Sequence, residues 1–140
     1  MDYTSKIKLW KDMAVGNYET ISKTLTESDM ILWGGVSGDM NLLHFDLEYS
    51  KSKRFGDIVV PGLCVAGLIS AAVTKLTFGN IYVTQNLQFV KPIYVGDTIT
   101  ATATITGIIP EKHMVKIETT CQNQNGELVI TGEAMQYIIE

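Results

Sequence analysis

The spacing of the hydrophobic residues divides the chain into one long helical stretch and a series of strands. Residues 58–74 contain no charged side chain and are interrupted only at Pro61, Gly62 and Gly67. Apolar residues recur there at spacings of three or four, at Leu63, Ala66, Ile69, Val73 and Leu76. Proline suits the first turn of a helix because its missing N–H would be unpaired there. We predict a helix that begins at Pro61 and, because its other faces are also apolar, is buried on all sides.

Alternation of apolar and polar residues takes over after this helix and predicts an antiparallel sheet. The alternating segments are residues 87–89, 99–105, 114–121 and 127 to about 138. Turn residues separate them, and Asn125-Gly126 is the strongest hairpin signal. Ahead of the helix, residues 18–25 are predicted as a further strand, and residues 26–29 as the capped start of a short helix that reaches Trp33.

These elements predict an α+β fold. One apolar helix and at least four long strands pack most economically with an antiparallel sheet curled around the helix. No repeat or linker divides residues 1–140, so we predict a single domain. Such a sheet leaves strand edges exposed, and edge-to-edge pairing in a homodimer is a natural way to cover them.

Composition and charge narrow the range of partners. The 140 residues include 15 Asp and Glu against 11 Lys and Arg, and a net charge of −4 without a basic cluster argues against nucleic-acid binding. The uncharged stretch is too broken by proline and glycine for a membrane span. Cys64 and Cys121 lie far apart and outside any metal-ligand spacing. We therefore expect free thiols, no zinc site and, without a secretory signal, a cytoplasmic protein.

Candidate chemistry concentrates in the polar segment ahead of the long helix. Asp39 and His44 are its ionisable pair, and a carboxylate and an imidazole around one water molecule form an acid–base unit. We predict that a non-helical loop carries them, with Gly38 at a tight turn. On spacing alone the alternative is a surface turn, because Ser, Gly, Asp and Asn are common turn residues. The start of the long helix adds unpaired N–H groups at Gly62 and Leu63, which are candidate donors to an oxyanion.

Several segments, in chain order, are similar to one protein family. They are Val36-Ser37-Gly38-Asp39-x-Asn41-x-x-His44, Phe55-Gly56, Pro61-Gly62-Leu63, Ala66-Gly67-Leu68-Ile69-Ser70, Leu87-Gln88-Phe89-x-Lys91-Pro92 and Gly96-Asp97-Thr98-Ile99-Thr100-Ala101. Together they resemble the MaoC-like (R)-specific enoyl-CoA hydratases, also called hydratase 2 enzymes. The first segment is the most specific, and the resemblance extends from about residue 25 to residue 134.

The resemblance implies a hotdog fold, with an antiparallel sheet around a long central helix, and a homodimer or a larger assembly of dimers. It implies reversible addition of water to a trans-2-enoyl-CoA, giving the (R)-3-hydroxyacyl-CoA, without a metal or redox cofactor. Asp39 and His44 match the catalytic dyad, and the backbone N–H of Gly62 matches the donor to the thioester oxygen. Coenzyme A or an acyl-carrier arm would deliver the acyl chain to an apolar tunnel beside the helix. The candidate substrate-binding residues are Asn41, Ser37 and Leu63.

The chain departs from the family pattern at two positions. Leu42 stands where proline is usual after the asparagine, so we expect the loop to be held less rigidly. Pro61 stands where many members have histidine. Because the donor is a backbone N–H of the next residue, the role of Gly62 is retained.

Charged residues alternate in sign after the dyad, at Asp46, Glu48, Lys51, Lys53 and Arg54. This alternation is typical of a solvated helix face. The alternative that the resemblance leaves open is a contact from Lys53 or Arg54 to the phosphates of coenzyme A.

Two other functional classes compete with a hydratase. One is a hotdog thioesterase or an acyl-carrier-protein-dependent 3-hydroxyacyl dehydratase with a carboxylate on the central helix, but residues 61–76 contain no Asp or Glu. The other is a non-catalytic protein that binds acyl thioesters. Such a protein would keep the fold and the pocket but would not need Asp39 and His44 together.

Overall fold

The structure is a computed structural model and describes residues 3–140. Single turns of 3-10 helix lie at Thr4–Lys6, Trp10–Asp12 and Pro110–Lys112. The other elements are β1 (Tyr18–Thr24), α1 (Glu27–Ser37), α2 (Leu42–Phe45), α3 (Leu47–Lys51), α4 (Gly62–Leu76), β2 (Ile81–Phe89), β3 (Thr98–Ile109), β4 (Met114–Gln122) and β5 (Leu128–Tyr137).

The strands form one antiparallel sheet in the order β1-β3-β4-β5-β2, with β1 and β2 at its edges. Alternation decides which face is buried, since β3 buries Ile99, Ala101, Ala103 and Ile105 while the threonines between them are half-buried. The helix α4 packs on this inner face, mainly against β1 and β3. The predicted α+β arrangement, a sheet around a helix, is therefore confirmed.

Two strands are longer than their alternation predicts. The strand β2 begins at Ile81, ahead of the predicted residues 87–89, and β3 continues beyond Ile105. The register shifts between Tyr82 and Thr84 in β2 and between Ile105 and Gly107 in β3. A bulge of this kind inserts an extra residue and interrupts the alternation of faces, so period two is lost across it.

The helix α4 is buried on one side only, so the prediction of burial on all sides is wrong for this chain. Its buried residues are Val65, Ile69, Ala72, Val73 and Leu76. Leu63, which the spacing placed on the buried stripe, is 56% exposed, and Ser70 and Thr74 are exposed as well. The sheet covers the side of α4 that faces it. Lys75 in the last turn is the only charged residue of α4, so the composition of the helix does not reveal which side that is.

The helix α1 begins as predicted and continues one turn further. The hydroxyl of Thr26 accepts a hydrogen bond from the N–H of Asp29 at 3.3 Å, and the Asp29 carboxylate accepts one from the N–H of Thr26 at 2.9 Å, which completes a capping box. Near its other end, a Cβ on Gly34 would lie 2.9 Å from the ring of Phe45. The glycine, a poor helix former, thus lets α1 pack closely against the segment that follows it.

Candidate active site

Hydrogen bonds between side chains and the backbone shape the segment that follows α1. The helix ends at Gly38, whose φ of 76° is a left-handed conformation that glycine adopts without strain. Ser37 Oγ accepts a hydrogen bond from the N–H of Asp39 at 3.1 Å, and Asp39 Oδ1 accepts one from Asn41 at 3.3 Å. Asn41 Oδ1 accepts one from Leu43 at 3.1 Å. Each bond spans two residues, which is the local geometry that Ser, Asp and Asn favour in turns.

His44 lies on the short helix α2, so the prediction of a non-helical loop is wrong for this half of the dyad. The side chain of Asn41 caps the start of that helix. Nδ1 of His44 lies 2.6 Å from the carbonyl oxygen of Val59. A carbonyl oxygen only accepts, so Nδ1 carries the proton and donates it, which leaves Nε2 of the neutral ring as the basic nitrogen. The buried Ser50 ties α2 to α3 by donating its hydroxyl to the carbonyl of Leu43 at 3.1 Å.

Asp39 and His44 line the same cavity, which has a volume of about 470 Å³. Both side chains are half-buried. Among residues 3–140, hydrogen-bond donors reach only Oδ1 of Asp39, so Oδ2 is free to meet a ligand. A free carboxylate oxygen and a free imidazole nitrogen on one cavity can hold a water molecule and move its protons.

The helix α4 begins on the wall of this cavity. Pro61 precedes its first residue, Gly62, and provides no side-chain cap. Within residues 3–140 the N–H groups of Gly62 and Leu63 have no hydrogen-bond acceptor. These groups and the partial positive charge of the helix start favour a negatively charged oxygen. A Cβ on Gly62 would lie 2.4 Å from the ring of Phe89, so glycine allows that ring to lie against the start of the helix.

The cavity includes only part of the predicted site. The predicted residues that line it are Asp39, His44, Gly62 and Leu63. Ser37 and Asn41 lie outside the lining, and their side chains bond to the backbone. Ser37 also donates its hydroxyl to the carbonyl of Trp33 at 2.7 Å. These two residues therefore shape the segment that carries the dyad.

Part of the cavity wall lies outside the predicted site residues, and of this part only Arg54 was considered from the sequence, as an alternative contact to the phosphates of coenzyme A. Phe89 and Lys91 come from the end of β2 and the residues after it, and Arg54 and Phe55 come from the turn after α3. Lys91 forms an ion pair with Glu127, and the hydrogen bond from Lys91 is the main reason that the pKa of Glu127 lies below its ordinary value. The segment Phe89-x-Lys91-Pro92 at the end of a strand was the sequence feature that could have indicated these residues. Sequence spacing does not show, however, that β2 ends beside α4.

Two further cavities lie near α1. One, of about 450 Å³, shares His44 with the first cavity. Its apolar lining residues are Met30, Ile31, Phe45, Leu47, Ile58 and Val95. The other, of about 310 Å³, lies beside α4 and includes Cys64. Burial, and then the charge of Asp29, raise the pKa of the Cys64 thiol, so this cysteine is protonated at neutral pH.

Neither a metal cluster nor a membrane-crossing helix is found in the described part of the chain. Within residues 3–140, no three His, Cys, Asp or Glu side chains are grouped so that they could hold a metal ion. No helix in that range is both long enough and apolar enough to span a membrane.

Comparison with known proteins defines first the class and then the family. The antiparallel sheet around a central helix is the hotdog fold, which solved R-hydratases share. The family model described as MaoC like domain matches residues 14–126. The chain therefore belongs to the MaoC-like domain family, and the resemblance stated from its motifs is confirmed.

Individual relatives match nearly the full chain. An (R)-specific enoyl-CoA hydratase from Rhodospirillum rubrum is 42% identical over 127 residues, which are 89% of this chain and 88% of the relative. A mitochondrial 3-hydroxyacyl-[acyl-carrier-protein] dehydratase from Solanum lycopersicum is 36% identical over 87% of this chain and 75% of its own length. The unliganded R-hydratase PhaJ1 from Pseudomonas aeruginosa superimposes with a TM-score of 0.86 at 30% identity, over 94% of this chain and 86% of that chain.

Proposed function

We propose that this protein is an (R)-specific enoyl-CoA hydratase. It reversibly adds water to a trans-2-enoyl-CoA of short to medium chain and gives the (R)-3-hydroxyacyl-CoA. The observation that carries the proposal is the convergence of Asp39, His44 and the start of α4 on one cavity. The sequence identity of 42% to an (R)-specific enoyl-CoA hydratase supports it. The second cavity, which shares His44, has room for carbons beyond the reacting double bond.

The roles of the residues follow from the charge that develops in the reaction. Water held between Asp39 and His44 attacks C3, and its oxygen forms the new C–O bond. The electron pair of the double bond moves toward the thioester carbonyl, where the N–H of Gly62 stabilises the enolate oxygen. The dyad takes the proton that water loses and delivers a proton to C2, so the product gains one hydroxyl and one hydrogen. Holding both carbons and the water in one cavity supplies the orientation.

The reaction as proposed requires no metal or redox cofactor. Water is the only co-substrate, and coenzyme A enters and leaves as part of the thioester. The acidic balance of the chain argues against nucleic acid as a partner. Two free thiols support a cytoplasmic location.

The second candidate is dehydration of a 3-hydroxyacyl group on an acyl-carrier protein. The name of the Solanum lycopersicum relative favours it, since the chemistry is the same reaction in reverse on a different carrier. A third candidate, a protein that binds acyl thioesters without reacting them, does not explain the free Oδ2 of Asp39 beside a histidine whose tautomer is fixed by Val59.

The proposal includes a homodimer formed through the edge strand β2. This strand pairs with β5 on one side, and its other edge is open. Ile81 is 50% exposed, Val83 44% and Phe89 54%, and an open edge with exposed apolar residues is covered when two copies pair. Analytical ultracentrifugation should give a dimer for the natural chain and a monomer for Val83→Lys. The control Ile139→Lys, at an exposed residue outside β2, should remain a dimer.

The test of the reaction is the loss of enoyl absorbance when purified protein is added to crotonyl-CoA, with the chirality of the product determined. We expect rapid loss and (R)-3-hydroxybutyryl-CoA. Crotonyl-[acyl-carrier-protein] in parallel separates the first two candidates, because a carrier-protein enzyme would prefer it. Binding of crotonyl-CoA without turnover of either thioester would contradict both enzymatic candidates and leave the binding protein.

A further inference from the structure

The cationic side chains on the wall of the active-site cavity differ in whether they form an ion pair. Three charged side chains line the cavity, Asp39, Arg54 and Lys91. Lys91 is neutralised by its ion pair with Glu127. Arg54 forms no ion pair with any carboxylate in residues 3–140. The cavity that holds the dyad therefore also carries one guanidinium that forms no ion pair within residues 3–140.

The backbone around Arg54 is held in a tight turn. The N–H of Gly56 donates to the carbonyl of Lys53 at 3.1 Å, and Gly56 has a φ of 71°, which glycine adopts without strain. The guanidinium carbon of Arg54 lies 5.9 Å from the ring centre of Phe55, which lines the same cavity. The hydroxyl of Tyr94 donates to the carbonyl of Phe55 at 3.4 Å. The turn and the aromatic ring position the guanidinium at the wall without using its N–H donors.

A neighbouring cation provides a contrast. Lys53 has no ion pair in the described chain either, but its ammonium lies 4.5 Å from the ring centre of Tyr49 and it does not line the cavity. Adjacent residues in one turn thus differ in whether their charge can reach a bound thioester. A guanidinium presents paired N–H donors that match phosphate oxygens, which makes the placement of Arg54 chemically specific.

We propose that Arg54 binds a phosphate group of the carrier arm of the thioester and so selects phosphorylated thioesters as substrates. This inference rests on the proposed function, which supplies a thioester whose acyl end meets Asp39 and His44 in the same cavity. The shared chemistry is the phosphate, which coenzyme A and the phosphopantetheine of an acyl-carrier protein both contain. Arg54 is a specificity residue and takes no part in the proton transfers.

The first experiment compares the natural chain with Arg54→Ala on crotonyl-CoA and on crotonyl-pantetheine, which lacks every phosphate. We expect Arg54→Ala to raise KM for crotonyl-CoA by about five- to tenfold with kcat unchanged, since a charge-assisted contact to the carrier is lost. The increase should shrink at high salt, because exposed charges are screened. KM for crotonyl-pantetheine should be the same in both proteins. Lys53→Ala is the matched control and should change neither KM.

A third thioester, crotonyl-4′-phosphopantetheine, locates the contact. An effect of Arg54→Ala on this thioester supports a contact at the phosphate next to pantetheine, and an effect on crotonyl-CoA alone supports a contact at the phosphates nearer the adenosine. An equal rise in KM for crotonyl-pantetheine, or no rise for crotonyl-CoA, would overturn the role of Arg54. Calorimetric binding of free coenzyme A keeps this test independent of turnover. If neither protein hydrates a thioester but Arg54→Ala binds free coenzyme A more weakly than the natural chain, the phosphate contact of Arg54 is supported. That result contradicts only the proposed hydratase activity.

Discussion

The sheet core and the segment between α1 and α4 are held by different forces. The core strands β3, β4 and β5 pair along their lengths and bury Ile105, Ile117 and Ile130 almost completely. The segment between the helices is mostly exposed or half-buried, and bonds from side chains to the backbone, such as that of His44 to Val59, fix its shape. Burial of apolar area therefore stabilises the first region, while turn geometry positions the candidate catalytic groups in the second.

The largest expected effect on stability comes from the core. Ile117 lies on β4 opposite Ile105 and is completely buried, so Ile117→Ala removes buried apolar volume and leaves a cavity. We expect the free energy of unfolding in urea to fall by about 2–5 kcal/mol. Ile139→Ala is the control because Ile139 is 50% exposed, and it should cost less than about 0.5 kcal/mol. The folded fraction of Ile117→Ala should keep its specific activity. Loss of activity without loss of stability would contradict the conclusion that the core stabilises the fold without positioning the candidate catalytic groups.

The two regions meet at the start of α4. The variant Gly62→Ala tests whether the position of this helix start determines activity. The added methyl group would meet the ring of Phe89 at 2.4 Å, so the ring or the start of the helix must move. We expect kcat for crotonyl-CoA to fall by about 10–100-fold, because displacement of the proposed oxyanion donor by about 1 Å is enough to do so.

Two companion variants show whether this loss comes from the clash. Gly67→Ala in the same helix has no neighbouring atom within 4 Å, so it should leave kcat unchanged. Adding Phe89→Ala to Gly62→Ala removes the opposing ring and should recover part of the lost kcat. No recovery in the double variant would show that the clash with Phe89 is not the cause.

The inner strands β3 and β4 were predictable from the sequence because buried and less buried residues alternate regularly along most of their length. Alternation at Ile99, Ala101, Ala103 and Ile105 predicts the buried face of β3 without further information. The exposed side of α4 could not be predicted, because uncharged residues occur on all of its sides and only the position of the sheet separates them. The predicted length of α1 was too short because glycine is a poor helix former. Gly34 lies within α1 because the ring of Phe45 packs against it, and this tertiary contact is not visible in the sequence.

For the candidate site, the residue types predicted from the sequence remain a prediction of function, and their local structure was predicted only in part. Asp39 and His44 share a segment whose residue types suit acid–base chemistry, and the structure adds that they line one cavity. The short helix that carries His44 was missed because its four residues are too few for a periodic pattern. Lys91 and Phe89 reach the cavity from the end of β2, which is remote in sequence from the dyad.

A smaller effect is expected where a cap supports the dyad. Asn41→Ala removes the side chain that accepts the N–H of Leu43 at the start of α2, while the residue itself lies outside the cavity. Loss of such a cap costs about 1 kcal/mol, so we expect kcat to fall about fivefold through a looser position of His44, with KM unchanged. Asn41→Ser retains a capping oxygen and should restore most of the rate. Equal losses in both variants would instead assign the asparagine a direct role toward the substrate.

The most direct test of the account is a double-mutant cycle of Asp39→Asn and His44→Ala, with kcat for crotonyl-CoA as the readout and urea unfolding as the check on folding. If both residues act on one water molecule, each single variant should lose activity by about 10²–10⁴-fold. The double variant should then lose little more activity than the less active of the two single variants. All three variants should unfold within about 1 kcal/mol of the natural chain, because both residues lie outside the core. Losses that multiply in the double variant, or a single variant with full activity, would contradict a shared water and with it the central claim.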